Sequence, residues 1–228
     1  MFWSGGIIVF RFISLLLIFS LYSHALPAKC RNHRTISRLG KIITSPMRSI
    51  GQTAQASKQY IHENFHIVEK NSFYRSAQLS PKRLAYYIRK YGIKTVINLR
   101  GENPNEQWWQ HEQSIVQRNQ VKYYNIPMSA NRLTSKENLL TLLDSYDNAQ
   151  LPVLVHCYSG VDRTGEAAAI WVMEKMGKSK RKALAQLSIF HRHLAFRYPA
   201  KSFLINIWQG RNWLINDYNH LNYPQFAS

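Results

Sequence analysis

Residues 151–177, LPVLVHCYSGVDRTGEAAAIWVMEKMG, decide how this chain folds. LPVLVH at 151–156 is an apolar run of strand length, and GEAAAIWVMEKMG at 165–177 is a helix closed by Gly177. Between them, Cys157 and Arg163 stand with five residues separating them. A loop that leaves a buried strand and enters a helix turns successive backbone N–H groups inward, and the helix N-terminus adds partial positive charge. The product is a cradle for a tetrahedral dianion.

Each residue type suits its place in that cradle. Arg163 offers a planar fork that makes two parallel hydrogen bonds to an oxyanion, which the point charge of a lysine does not. The same positive environment lowers the Cys157 pKa from about 8.5 into a range of roughly 3.5 to 7.5, so that a thiolate is available at neutral pH. Gly160 lets the backbone approach the ligand, Thr164 donates a hydroxyl towards the sulfur, and Gly165 lets the helix pack closely on the sheet. Backbone amides of Tyr158, Ser159, Gly160, Val161, Asp162 and Arg163 form the phosphate-binding ring. His156, at the strand end beneath the loop, orients it through its ring nitrogens.

Working back along the chain, strands and helices alternate. FHIVEKNSFYRS from Phe65 reads as an extended lead-in or hairpin. Ser80-Pro81 supplies a cap and a first-turn proline; Leu84, Tyr87, Ile88 and Tyr91 recur at helical spacing, and Gly92 ends the helix. KTVINL at 94–99 and VKYYNI at 121–126 are strands, separated by a helix through Trp108, Trp109, Glu112, Ile115 and Val116. Leu139, Leu142, Leu143 and Tyr146 mark another helical stripe. Two helices, near 179–192 and 201–216, close the domain. The pattern predicts an α/β fold with a central, mostly parallel sheet flanked by helices. Trp108, Trp109, Tyr123 and Tyr124 read as packing residues.

The chain opens differently. Residues 6–22, GIIVFRFISLLLIFSLY, are almost wholly apolar, interrupted by Arg11, and predict an N-terminal hydrophobic helix within 1–28. Ser23-His24-Ala25 offers a cleavage site, so a signal peptide and exported enzyme compete with an uncleaved anchor. Lys29, Arg31, Arg34, Arg38 and Lys41 follow the apolar run without an acid among them, which favours an anchor with the domain on the cytoplasmic side. Residues 29–60 are a basic, polar linker, and 61–228 the catalytic domain. Cys30 follows Lys29, where lipoprotein processing needs a small residue, and is incidental.

Charge and cysteine usage bound the function. Lysine and arginine number 30 against 12 acids, a net charge of +18, and Glu63 is the first acid in the chain. Such a field draws anionic partners: acidic lipid surfaces, polyphosphorylated small molecules or nucleic acid. The basic run Lys178, Lys180, Arg181 and Lys182 reads as a solvated helix face, with no specific nucleic acid implied. Two cysteines, Cys30 and Cys157, are too few for a disulfide framework and point to a thiol enzyme. The nine histidines show no ligand spacing, so neither metal nor other cofactor is expected.

His156-Cys157, five residues, Arg163-Thr164-Gly165 resembles the signature of the cysteine-dependent protein tyrosine and dual-specificity phosphatases. FYRSAQLS at 73–80 and YGIKTVINLRGE at 91–102 are similar to the lead-in of the atypical dual-specificity phosphatases of bacteria, fungi and plants. The resemblance covers roughly residues 65–195. It implies a protein tyrosine phosphatase-like fold and a phosphocysteine intermediate on Cys157 that water hydrolyses.

The family pattern is incomplete at one place. Most relatives carry an aspartic acid on a separate loop to protonate the leaving oxygen, whereas PMSANRLTS at 127–135 contains no acid. Asp162 is the first candidate to replace it, with a loop-holding role as the alternative, and Glu102 is the second. An acid inside the loop disfavours very highly charged substrates, so phosphotyrosine or another phosphomonoester is expected first. Phosphoinositides or inositol (pyro)phosphates come second. A non-enzymatic phosphate-binding module would not need the cysteine, and a rhodanese-like sulfur transferase would not need Arg163-Thr164-Gly165.

Overall fold

In the computed structural model, which describes residues 63–226, the apolar runs become the strands of one five-stranded sheet. β1 (His66–Glu69) and β2 (Phe73–Ser76) form an antiparallel hairpin whose turn holds Asn71 at φ 61°, a left-handed conformation that asparagine tolerates. β3 (Thr95–Asn98), β4 (Lys122–Asn125) and β5 (Val153–His156) complete the order β1-β2-β5-β3-β4. β2, β5, β3 and β4 run parallel, and the edge strand β1 alone makes the sheet mixed rather than wholly parallel.

β2, β3 and β5 are buried at every position, as strands covered on both faces must be. Their alternation still sorts the side chains. Tyr74, Val96 and Leu154 face α1 (Pro81–Tyr91) and α2 (Gln107–Arg118), whereas Phe73, Ile97, Val153 and Val155 join the core built with α3 (Lys136–Asp147) and α4 (Asp162–Glu174). α1 carries the expected cap: Ser80 Oγ accepts from Arg83 N at 3.4 Å, and Gly92 closes it at φ 62°.

Three helical expectations are corrected. α4 begins at Asp162, three residues before Gly165, so Arg163 and Thr164 belong to its first turn. The region near 179–192 holds only the short α5 (Lys180–Leu184) and single 3-10 turns at 185–187 and 189–191. The stretch near 201–216 is two helices, α6 (Pro199–Ile207) and α7 (Arg211–Asn216). Trp208 leaves helical geometry with ψ 131°, buries its ring and donates Nε1–H to Glu174 at 2.7 Å, and Gly210 turns the chain at φ 91°.

The expected N-terminal helix (1–28) and basic linker (29–60) lie outside the described residues. Among the described residues no helix is long and apolar enough to cross a membrane. The parallel strands present their C-terminal ends together, and central β5 delivers Cys157 to the crevice there, where open α/β sheets bind ligands.

Candidate active site

The loop from Cys157 to Val161 is shaped from outside. Arg75 on β2 is completely buried; its Nη2 donates to Gly160 O at 2.9 Å and Val161 O at 3.3 Å, and its Nη1 to Gln186 O at 2.7 Å. Asn64 Nδ2 donates to Ser159 O at 3.2 Å and Gly160 O at 2.9 Å. With three loop carbonyls drawn away, the N–H groups of Gly160 and Thr164 reach the sulfur. Gly160 sits at φ 69°, and a Cβ there would lie 2.5 Å from both Ala77 N and Ser76 C. Only glycine lets the loop lie against the end of β2.

Cys157 is 1% exposed. Burial pushes its thiol up, but Arg163, the Thr164 hydroxyl and the N–H groups of Thr164 and Gly160 outweigh burial and hold it below the ordinary range. Thr164 Oγ1 is buried without an oxygen or nitrogen partner, which leaves its hydroxyl to the sulfur. Arg163 Nη1 makes two long bonds, to Leu99 O at 3.4 Å and Met128 O at 3.5 Å, and its buried Nε has no partner. Its fork is therefore aimed but unspent, and a phosphate oxygen can use it.

Beneath the loop, both ring nitrogens of His156 have partners. Its Nε2 lies 2.6 Å from Glu112 Oε1, and its Nδ1 lies 3.4 Å from Cys157 O. Burial alone would depress this imidazole; Glu112 and Cys157 raise it instead, so the protonated form is favoured. Glu112 in turn is pulled below its ordinary range, against burial, by His156, Gln78 and Tyr123. Gln78 Nε2 donates to Glu112 Oε2, and Tyr123 OH donates to Oε1 at 3.0 Å.

Other expected residues fall elsewhere. Asp162 is buried, with Oδ1 2.8 Å from His193 Nδ1, and His193 Nε2 lies 3.4 Å from Ser202 Oγ. Glu102 is exposed on the loop after β3. The close approach at Gly165 is to the turn at 185–187 and not to the sheet: a Cβ would lie 2.7 Å from Leu187 Cδ2. Tyr158 is 69% exposed, and its carbonyl accepts from Gln78 N at 3.0 Å. Ser159 is exposed and Val161 buried. Among the described residues no group of three His, Cys, Asp or Glu side chains is arranged to hold a metal.

Sequence reading gave no role to Arg75, Asn64, Glu112, His193 or Lys201. Arg75 had the clearest local signal, a lone cation following the aromatic pair Phe73-Tyr74 within a strand. Lys201 on α6 is completely buried, as is its ion-pair partner Glu166; it donates to Arg132 O at 2.9 Å and Thr134 Oγ1 at 3.3 Å. Tyr218 OH donates to Thr134 O at 2.7 Å. The acid-free loop at 127–135 is thereby tied to the C-terminal helices.

Comparison with known proteins bears on the family and the fold. The model of the family "DSP-PTPase phosphatase fused to NAD+ Kinase" matches residues 39–195, more than half of the chain. No curated protein matches the chain. TpbA of P. aeruginosa is similar in fold, at 21% identity and TM-score 0.51 over 64% of this chain and 86% of its own. So is the core catalytic domain of the PP-IP phosphatase SIW14 from S. cerevisiae, solved with citrate, at 22% identity and TM-score 0.51 over the same shares. A further structure of the Siw14 catalytic core aligns at 19% identity and TM-score 0.54, over 67% of this chain and 89% of that one. The chain belongs to the DSP-PTPase family whose model it matches, and is a cysteine-dependent phosphatase of the protein tyrosine and dual-specificity superfamily.

Proposed function

We propose that Cys157 is the nucleophile and Arg163 the phosphate clamp, and that the preferred substrate is a small, multiply phosphorylated alcohol of the inositol class. The carrying observation is a buried sulfur held below the ordinary thiol range beside a guanidinium whose Nε lacks a partner. The thiolate attacks phosphorus in line; the S–P bond forms as the bond to the leaving oxygen breaks, and that oxygen takes a proton from solvent water. Water then attacks the phosphocysteine, the S–P bond breaks, and inorganic phosphate leaves with the thiolate restored. Backbone amides of residues 158–163 and Arg163 stabilise the equatorial oxygens throughout.

Asp162 was the reason to expect a less charged substrate; its Oδ1 is bonded to His193. A net charge of +18 supports the polyanion reading, as does the existence of a PP-IP phosphatase on this fold. Phosphotyrosine is the second reading, favoured by the exposed ring of Tyr158 beside the cradle and by the fold's occurrence in a TpbA complex with pTyr. We assign Asp162 to holding the loop through His193. The segment before residue 61 is assigned to anchoring the phosphatase domain on the cytoplasmic side of a membrane, supported by the basic residues that follow the apolar run.

The test is phosphate release by the full chain from inositol polyphosphates, phosphoinositides and phosphotyrosyl peptides, with Cys157→Ser as control. Faster release from the inositol compounds is expected. Preference for the peptides transfers the assignment to phosphotyrosine, and no release from any ester overturns the catalytic reading.

A further inference from the structure

Arg100 follows β3, next to Leu99, whose carbonyl accepts from Arg163. Its guanidinium carbon lies 3.4 Å from the ring centroid of Trp108 and 5.3 Å from that of Tyr158. Among the described residues it makes one hydrogen bond, from Nη1 to Gln78 Oε1 at 2.9 Å. Gln78 is itself fixed by Glu112, so the network that seats His156 under the nucleophile also sets the direction of Arg100.

This placement is costly without an anion. Burial depresses the Arg100 guanidinium, and the like charge of Arg163 depresses it further, against the opposing pull of Glu112 and Cys157. Two guanidinium groups thus sense each other and the nucleophile at one mouth. Stacking on aromatic faces retains the plane of Arg100 and leaves N–H edges for a ligand, which is the preorganised form of an oxyanion site. Beside it, a cavity of about 360 Å³ is lined by Gln78, Trp108, His111 and Glu112, among others.

We infer that Arg100, held between Trp108 and Tyr158, binds a second phosphoryl group of the substrate whose first phosphate lies over Cys157. The substrate class is a small molecule with phosphates on neighbouring positions, either free or as a lipid headgroup. This inference rests on the assignment of Cys157 and Arg163 to the scissile phosphate.

The experiment compares the full chain with Arg100→Gln and Arg100→Lys, each checked for an unchanged melting profile. The readout is the ratio of kcat/KM for a vicinal inositol bisphosphate to that for an inositol monophosphate. A lost charge-assisted contact predicts a fall in the ratio on the order of tenfold to a hundredfold for Arg100→Gln. Arg100→Lys recovers only part of it, because it restores the charge without the fork. A vesicle arm carrying the same headgroup identifies the source: dependence on Arg100 in either arm supports the subsite. An unmoved ratio overturns it, as does dependence on Arg100 seen only with acidic phosphotyrosyl peptides.

A binding arm separates this claim from the catalytic one. Full-chain Cys157→Ser, with and without Arg100→Gln, is titrated calorimetrically with the bisphosphate and the monophosphate. If no ester is turned over but Arg100 still sets the preference for the bisphosphate, the catalytic reading falls and the subsite stands. If the monophosphate is turned over and no such preference exists in binding or rate, only the subsite falls.

Discussion

Nε2 of His156 lies 2.6 Å from Oε1 of Glu112, both side chains buried, and the other ring nitrogen lies 3.4 Å from the carbonyl of Cys157. A strand-end imidazole, its protonated form favoured by a carboxylate from α2, thus lies under Cys157. Glu112→Gln removes the group that keeps His156 protonated, and burial then favours the neutral ring. The thiolate loses support, so the acidic limb of kcat/KM moves to higher pH and alkylation by iodoacetate slows severalfold at pH 6. A change in melting temperature with an unmoved limb would make the pair purely structural.

Arg163→Lys keeps the charge and loses the fork. Since the unspent Nε of Arg163 is what the cradle offers a phosphate oxygen, kcat falls on the order of 100- to 1,000-fold, with secondary structure retained. Steady-state kinetics and circular dichroism check the two halves of that statement.

Gly160→Ala collides with the end of β2. The new Cβ would lie 2.5 Å from Ala77 N and Ser76 C at φ 69°, so strain and overpacking together cost roughly 2–4 kcal/mol. Gly177→Ala is the control: φ is 61° but nothing lies within 4 Å, and only the backbone strain, about 1–2 kcal/mol, remains. Urea denaturation of both variants measures the difference.

Asp162→Asn distinguishes a loop brace from a proton donor. With Asp162 tied to His193, the variant slows esters of good and poor leaving groups by the same factor and lowers the melting temperature. A general acid would instead show its loss on the poor leaving group alone.

His191 carries a pH signature of its own. Burial, then Arg75 and His66, depress its imidazole from 6.5 to about 4, and the His66 ring stands 4.5 Å away, edge to face. The folded pKa is lower than the unfolded one, so this contribution to stability is complete above pH 6.5 and is lost as pH falls towards 4. Full linkage at 1.36 kcal/mol per pKa unit would be roughly 3 kcal/mol, and partial exposure screens it to about 1 kcal/mol. Thermal melts from pH 7 to 5 should decline less steeply for His191→Gln than for the unaltered chain.

The sequence by itself determined the strand–loop–helix around Cys157, the placement of Arg163 after five intervening residues, and the apolar runs that assemble the sheet. These follow from interactions between residues close in the chain, where spacing is geometry. The tertiary structure decided which groups supply the field: Glu112 comes from 44 residues before His156, His193 from 31 after Asp162, and Gln186 from 111 after Arg75. It also split the last helical stretch where Trp208 turned inward to Glu174. A charge acts through distance and burial rather than through chain order, so the surroundings of Asp162, Arg75 and Arg100 were fixed only when the tertiary fold brought their partners to them.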